Sequence, residues 1–182
     1  HVAMILGSDL DRKPHVAVGV DIGTNTEIAL LKPGEKTLTS ASCASGPAFE
    51  GAHIHDGMRA ATGAIEAVRI TSEGVQIKTI GDAPPVGICG SGIVDAIAEM
   101  YRADVINQRG RINREAPGVR KNEKSYEFVL AAAGSTGTGR DIVITQLDVN
   151  EIQLAKGAIS SGLETLMVAT HTPPEEVEEV IV

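Results

Sequence analysis

The chain has no tryptophan, only two phenylalanines and two tyrosines in 182 residues, so its interior cannot be organised around aromatic anchors. Apolar residues still make up 42% of it, enough for one substantial core, and Ala, Ile, Val and Leu must fill that core through close backbone approach. Twenty glycines fit such packing. Cysteine is equally scarce: Cys43 and Cys89 stand far apart and outside any Cys-x-x-Cys spacing, which excludes a disulfide framework or a four-thiolate metal site. A reducing, cytoplasmic setting is therefore expected. No apolar run reaches the roughly 18 residues of a membrane-spanning helix, and His1-Val2-Ala3-Met4 lacks the basic and apolar regions of a signal peptide, so no membrane partner is expected.

Positive charge is in deficit, with 16 Lys+Arg against 24 Asp+Glu and a formal charge of −8. That balance argues against broad binding to nucleic acid, whose backbone is held by clustered Lys and Arg. The densest basic cluster is Arg109, Arg111, Arg114, Arg120, Lys121 and Lys124. Glu115, Pro117, Gly118 and Glu123 interrupt it, no interleaved aromatic could stack a base, and it reads as a solvated loop.

Val16 to Asp21 is an apolar run suited to a buried strand, and Glu27 to Leu31 is a second one across a short turn containing Gly23. A turn at Lys32-Pro33-Gly34-Glu35 lets Thr37 to Ser42 return as a third strand. A short helix is expected around Met58 to Ala61, and a hairpin from Val68 to Ile80 around Glu73-Gly74. A helix from Gly90 to about Ala103 carries Ile93, Val94, Ile97 and Met100 on one face. Gln108 to Ser125 reads as irregular, within a probable insertion over 104–140, and Tyr126 to Leu130 and Asp141 to Thr145 read as strands.

The longest helix is expected to begin at an Asp148-x-x-Glu151 capping pattern and to run to about Ala169. Glu175 to Glu179 opens like a short helix, and Val180-Ile181-Val182 reads as a strand. A start at His and an end inside a β-branched run lead us to expect a piece of a longer protein. Strands and two amphipathic helices without regular βα alternation predict an α/β (α+β) domain with a mixed sheet.

Most of the chemistry lies in Asp21-Ile22-Gly23-Thr24-Asn25-Thr26-Glu27. Gly23 allows a tight turn whose N–H groups can converge on one anion, and Thr24, Asn25 and Thr26 add side-chain donors. Asp21, at a strand end, could hold water around Mg²⁺, an ion that keeps several waters and takes few protein ligands. The same composition also makes an ordinary hairpin turn.

Gly90-Ser91-Gly92 opens a helix and could present N–H groups to an anion or a ribose. Alternatively, its glycines let the helix pack closely on a sheet. Gly134 to Gly139 evokes a P-loop, but Arg140-Asp141 stand where Lys-Ser/Thr are required, so it reads as a mobile loop. His53 and His55 beside Asp56 are too few for a metal site, Lys156 reads as a snorkelling lysine, and the two cysteines read as small core residues.

Five segments in order, Asp21 to Leu30 (DIGTNTEIAL), Gly46 to Gly51 (GPAFEG), Gly57 to Ala60 (GMRA), Gly87 to Ala96 (GICGSGIVDA) and Leu154 to Ile159 (LAKGAI), resemble the reductive activators of corrinoid proteins. Those proteins join an N-terminal iron–sulfur ferredoxin domain to a C-terminal ATPase of the actin, sugar kinase and chaperone superfamily. The resemblance implies that residues 1–182 form one ribonuclease H-like lobe of an actin-like ATPase, with an insertion. It implies ATP and Mg²⁺ as cofactors, with the iron–sulfur cluster confined to a ferredoxin domain outside this chain.

By the same resemblance, Asp21 would face Mg²⁺ through water and Gly23, Thr24, Asn25 and Thr26 would contact phosphates. Gly90, Ser91 and Gly92 would line the nucleotide cleft, and Glu50 could order the attacking water or merely cap its loop. The first phosphate loop and the adenosine segment would lie outside these residues, so the chain alone is expected to be inactive.

The function implied is the return of corrinoid methyl-transfer proteins from Co(II) to Co(I), driven by ATP. The expected partners are a corrinoid protein, the ferredoxin domain, the other ATPase lobe and a second copy of the protein. The alternatives are another ATPase or kinase of the superfamily, such as an activator of acyl-CoA dehydratases, and a non-catalytic docking or dimerisation module.

Overall fold

A computed structural model describes residues 1–34 and 38–182. In chain order the elements are α1 (Val2–Gly7), β1 (Ala17–Asp21), β2 (Thr26–Leu31), β3 (Thr39–Cys43), β4 (Ala64–Thr71), β5 (Gly74–Thr79), β6 (Gly87–Ile88), α2 (Gly90–Arg102), β7 (Val119–Lys121), β8 (Tyr126–Ala131), β9 (Ile142–Thr145), α3 (Gln146–Ala169) and β10 (Glu179–Ile181). They fall into two compact units, His1–Gly46 with Ala155–Val182, and Pro47–Leu154.

The first unit holds a mixed sheet of order β10-β1-β2-β3, antiparallel between β1, β2 and β3 and parallel between β1 and β10. Its central strands are apolar from Ala17 to Val20 and from Ile28 to Leu31 because both faces are covered there. Val18, Val20, Ile28 and Leu30 pack with Ile159, Leu163 and Leu166 of α3. The alternate residues Ala17, Ala29 and Leu31 pack with Leu10 and with Met4 and Ile5 of α1. Gly19 lets the Met4 and Leu10 side chains approach closely, since a Cβ there would lie 2.7–2.8 Å from their ends and they would have to shift. The expected strand from Thr37 begins at Thr39 among the described residues, and Glu35 and Thr37 lie outside them.

The second unit contains two three-stranded sheets, β5-β4-β6 and β7-β8-β9. Ile65, Ile88, Ile93, Met100, Phe128 and Ile144 are at most 2% exposed and share one core. Burying Ile93 and Met100 anchors α2 with roughly 1.5–3 kcal/mol each. Beyond its short pairing with β6, β4 has backbone donors that need acceptors, and α2 supplies them. The N–H of Val68 donates to Asp95 at 2.7 Å and that of Ile70 to Glu99 at 2.9 Å. The i, i+4 spacing of the two carboxylates puts both on the helix face that meets the strand.

Several expectations need correction. No helix forms around Met58 to Ala61: Gly57 bridges Ile88, and the Met58 N–H donates to the Ile88 carbonyl at 2.8 Å, drawing the chain out along β6. The segment from Gln108 to Ser125 includes the strand β7, which pairs with β8.

The cap of α3 lies one turn earlier than Asp148-Glu151. Thr145 and Asp148 form a reciprocal box, the Asp148 N–H donating to the Thr145 hydroxyl at 3.2 Å and the Thr145 N–H to the Asp148 carboxylate at 2.7 Å. Asp148 also accepts the His55 N–H at 2.8 Å and is 1% exposed, which makes it a structural carboxylate.

Thr145→Ala should cost about 1 kcal/mol of stability, read by thermal or urea unfolding. The Glu99 carboxyl is held below the usual carboxylate range by the Ile70 N–H first and by Arg102 second. Its contribution is therefore complete above the ordinary carboxylate pKa of about 4 and is lost as pH falls through the lower folded value. Unfolding midpoints measured from pH 6 down to pH 2.5 should fall less steeply in Glu99→Gln than in the parent chain.

Candidate nucleotide-binding elements

The turn that joins β1 to β2 begins where Asp21 pairs with Glu27, so residues 22–25 project beyond the last rung of the ladder. Ile22, Thr24 and Asn25 are exposed and Gly23 is partly exposed. The Asp21 side chain, at the end of β1, is 39% exposed. A carboxylate in that position can accept a cation at the mouth of the turn.

Thr26 is fully buried, and its hydroxyl sits 2.7 Å from that of Ser45. The Ser45 hydroxyl in turn donates to the Gly23 carbonyl at 2.9 Å, and the Gly46 N–H donates to the Thr24 carbonyl at 2.9 Å. The carbonyls of the turn are thereby drawn back toward residues 45–46, and the turn is braced from behind. Thr26 serves that brace, while Thr24 and Asn25 present their side chains to solvent. Ser45 was not singled out from the sequence, where a serine between Ala44 and Gly46 has no periodic or motif signal.

The Cys43 thiol donates to the Thr26 carbonyl at 3.3 Å, and burial followed by the Glu27 charge pushes its pKa up, so it stays a neutral thiol at the back of the turn. Gly162 of α3 comes close to this region: a Cβ there would lie 3.1 Å from the Cys43 sulfur.

Glu50 and Gly90, Ser91 and Gly92 belong to the second unit. Glu50 ends a 3-10 turn, Pro47–Glu50, that packs against α2, and its side chain is exposed. Gly90 and Gly92 are dictated by packing: a Cβ at Gly90 would collide with the Phe49 carbonyl, and one at Gly92 with the Ile65 carbonyl. Close packing therefore accounts for both glycines. Ser91, between them, is exposed. Cys89, the N-cap of α2, provides no side-chain cap; its thiol donates to the Ile65 carbonyl at 3.2 Å.

Other residues singled out from the sequence are occupied elsewhere. His55 Nδ1 lies 3.1 Å from Asp56, whose carboxylate accepts the Val143 N–H at 2.8 Å. Among the described residues no three His, Cys, Asp or Glu side chains are grouped to hold a metal ion. The loop at 133–140 is tied down by Asp141, which accepts the Ala133 N–H at 2.6 Å, and by the Gly137 N–H donating to Pro85. Lys156 is exposed on α3. No described helix is long and apolar enough to cross a membrane.

Chemically, the β1–β2 turn offers a run of backbone donors, two exposed polar side chains and an adjacent carboxylate. This is a donor set that fits a phosphate group with its magnesium ion.

Comparison with known proteins gives a consistent result. Residues 15–182 match the family described as the C-terminal domain of RACo, the ASKHA domain. The corrinoid activation enzyme RamQ of Eubacterium limosum is 38% identical over 190 residues, covering 99% of this chain and 31% of that protein. The Co(II) methylated amine-specific corrinoid protein reductase of Methanosarcina barkeri is 30% identical over 199 residues, covering 97% of this chain and 33% of that protein. A solved structure of a reductive activator for corrinoid, iron–sulfur protein superposes with a TM-score of 0.90 at 40% identity, covering 98% of this chain and 29% of the other. The chain thus spans about a third of the length of the relatives it matches.

The brace behind the turn can be tested by itself. Ser45→Ala leaves the buried Thr26 hydroxyl without its partner and should cost roughly 1–3 kcal/mol in denaturant unfolding. Thr26→Val combined with Ser45→Ala should recover part of that loss, because no buried hydroxyl is then left unpaired.

Proposed function

The chain belongs to the RACo C-terminal ASKHA-domain family, an actin-like ATPase fold of mixed α/β architecture, and from that membership we propose that it is the nucleotide-binding part of a reductive activator of corrinoid proteins. The parent protein would return a corrinoid protein from Co(II) to Co(I), with ATP and Mg²⁺ used here and the electron delivered through an iron–sulfur ferredoxin domain outside this chain. The observation that carries the reading is the outward turn Asp21-Ile22-Gly23-Thr24-Asn25, braced from behind by Thr26 and Ser45. It occurs in a chain 38% and 30% identical to two proteins whose names describe corrinoid activation and corrinoid-protein reduction.

In this proposal the backbone N–H groups around Gly23, with the Thr24 and Asn25 side chains, bind and orient phosphate oxygens. Asp21 holds the hydrated cation that offsets their charge, and Thr26 keeps the turn in shape. Positioning and charge neutralisation are the main contributions a protein makes to phosphoryl transfer. Gly90, Ser91 and Gly92 are proposed to contact the nucleotide, and Glu50 to order water. The exposed Ser91 hydroxyl and the exposed Glu50 carboxylate are compatible with those roles.

That the described residues make up one lobe, completed by the rest of the parent chain, is part of the same proposal. ATP turnover would act on the corrinoid partner through a nucleotide-dependent difference in affinity for its two states, since a ligand shifts an equilibrium only by that difference.

The test is Asp21→Ala in the full-length protein. ATP hydrolysis stimulated by the corrinoid protein should fall at least about 100-fold, as expected for losing one electrostatic contact at a reacting phosphate. Unchanged ATP affinity and turnover would remove Asp21 from the site.

A further inference from the structure

The basic cluster that reads from sequence as a solvated loop divides into two sets. Arg120 is committed: its guanidinium pairs with Glu127 at 2.7 Å and with Asp141 at 2.5 Å, and both carboxyls are held below their usual range. Arg109, Arg111 and Arg114 are different. All three are exposed and line one cavity of about 620 Å³ in the second unit, together with Asn113, Tyr126 and Gln146. None of the three forms an ion pair among the described residues, and the acidic residue of the lining is Glu115.

The backbone that carries these arginines is held firmly. The Asn107 side chain accepts the N–H groups of Arg109 and Arg111 at 2.9 and 3.1 Å. Gln146 clasps the tip from the other side, donating to the Gly110 carbonyl at 2.7 Å and accepting the Ile112 N–H at 2.9 Å. Gly110 is buried with φ +72° against the Gln153 side chain, a place only glycine fills without strain. The Asn113 N–H donates to Val105, and the Arg114 guanidinium lies 5.2 Å from the centre of the Tyr126 ring.

The loop thus spends its polar backbone on its own shape and leaves three guanidinium forks around one concavity. In a chain of net charge −8, such a concentration of unpaired positive charge is a local reversal of the field an approaching anion meets.

We propose that this cavity is an anion-recognition site for a ligand with several closely spaced oxyanion groups, separate from the β1–β2 turn. Guanidinium forks grip carboxylate and phosphate oxygens two at a time. The ligand can therefore be a small polyphosphate or a cluster of carboxylates on an acidic peptide segment. The site needs no nucleotide at the Asp21 turn.

The experiment uses the full-length protein at 25 mM and 200 mM NaCl, with fluorescein-labelled hexaglutamate followed by anisotropy and pyrophosphate followed by calorimetry. R109Q/R111Q/R114Q should weaken the tighter-binding probe by roughly tenfold or more. R111K alone should give an intermediate loss, because the charge stays and the fork goes. K121Q/K124Q/R140Q removes the same charge outside the cavity and should change affinity by less than about twofold. Whichever probe binds tighter identifies the source of the oxyanions.

Because the three arginines are exposed, thermal melts of the variants should match the parent. Should the triple variant melt early, R111K at parental stability decides instead. Both titrations are run in EDTA, so that no magnesium holds pyrophosphate at the Asp21 turn, and a loss confined to R109Q/R111Q/R114Q is read from this cavity alone, so this site and the nucleotide reading fail independently. The proposal is overturned if neither probe binds at 25 mM NaCl, or if the control triple weakens binding as much as the cavity triple.

Discussion

Buried backbone donors must find acceptors, and much of the second unit is arranged by the carboxylates that provide them. Asp95 and Glu99 of α2 complete the hydrogen bonding of β4, Asp56 holds Val143 of β9, Asp141 holds the loop at Ala133, and Asp148 ties Thr145 and His55 to the start of α3. Most of these bonds join segments distant in sequence or close a helix end, in a core with few aromatic rings. The acidic excess is therefore partly architectural. It also explains why a carboxylate count is a poor guide to catalysis here: these five carboxylates already hold backbone N–H groups, whereas Asp21 stands partly exposed at the end of β1.

The first unit meets the same constraint with hydroxyls and small residues. Gly19 admits Met4 and Leu10 to one face of the sheet, and Gly162 lets α3 approach Cys43 and Ile28 on the other. With both faces tightly covered, the β1–β2 ladder ends abruptly, and the turn beyond it is shaped by the Thr26–Ser45 pair rather than by solvent. A turn held in this way can present its donors without first losing conformational freedom, which is the usual requirement for tight recognition of a small anion.

The sequence made the strands around the turn, the β4–β5 hairpin and α2 legible because apolar period and turn residues agree there. It was less informative where long-range pairing overrides local preference. Met58-Arg59-Ala60-Ala61 has good helix formers, but the bridge from Gly57 to Ile88 keeps it extended. Val119–Lys121 is charged and short, and becomes a strand only because β8 pairs with it. The cap of α3 was misplaced by three residues because Asp148-x-x-Glu151 and Thr145-x-x-Asp148 both fit the pattern, and only the reciprocal hydrogen bonds decide between them. At the candidate site the Asp21 turn was legible as a motif. The inward commitment of Thr26 and the part played by Ser45 depend on a contact between β2 and the segment after β3, which no local pattern encodes.

The family places this fold among actin-like ATPase domains, and the physical centre of the functional account is one outward turn with a carboxylate at its edge. The most direct measurement is a crystal structure of the full-length protein with magnesium and a non-hydrolysable ATP analogue. Phosphate oxygens should lie against the backbone N–H groups of residues 23–25, with the Asp21 carboxylate toward the ion. A bound nucleotide whose phosphates leave that turn untouched would contradict that placement.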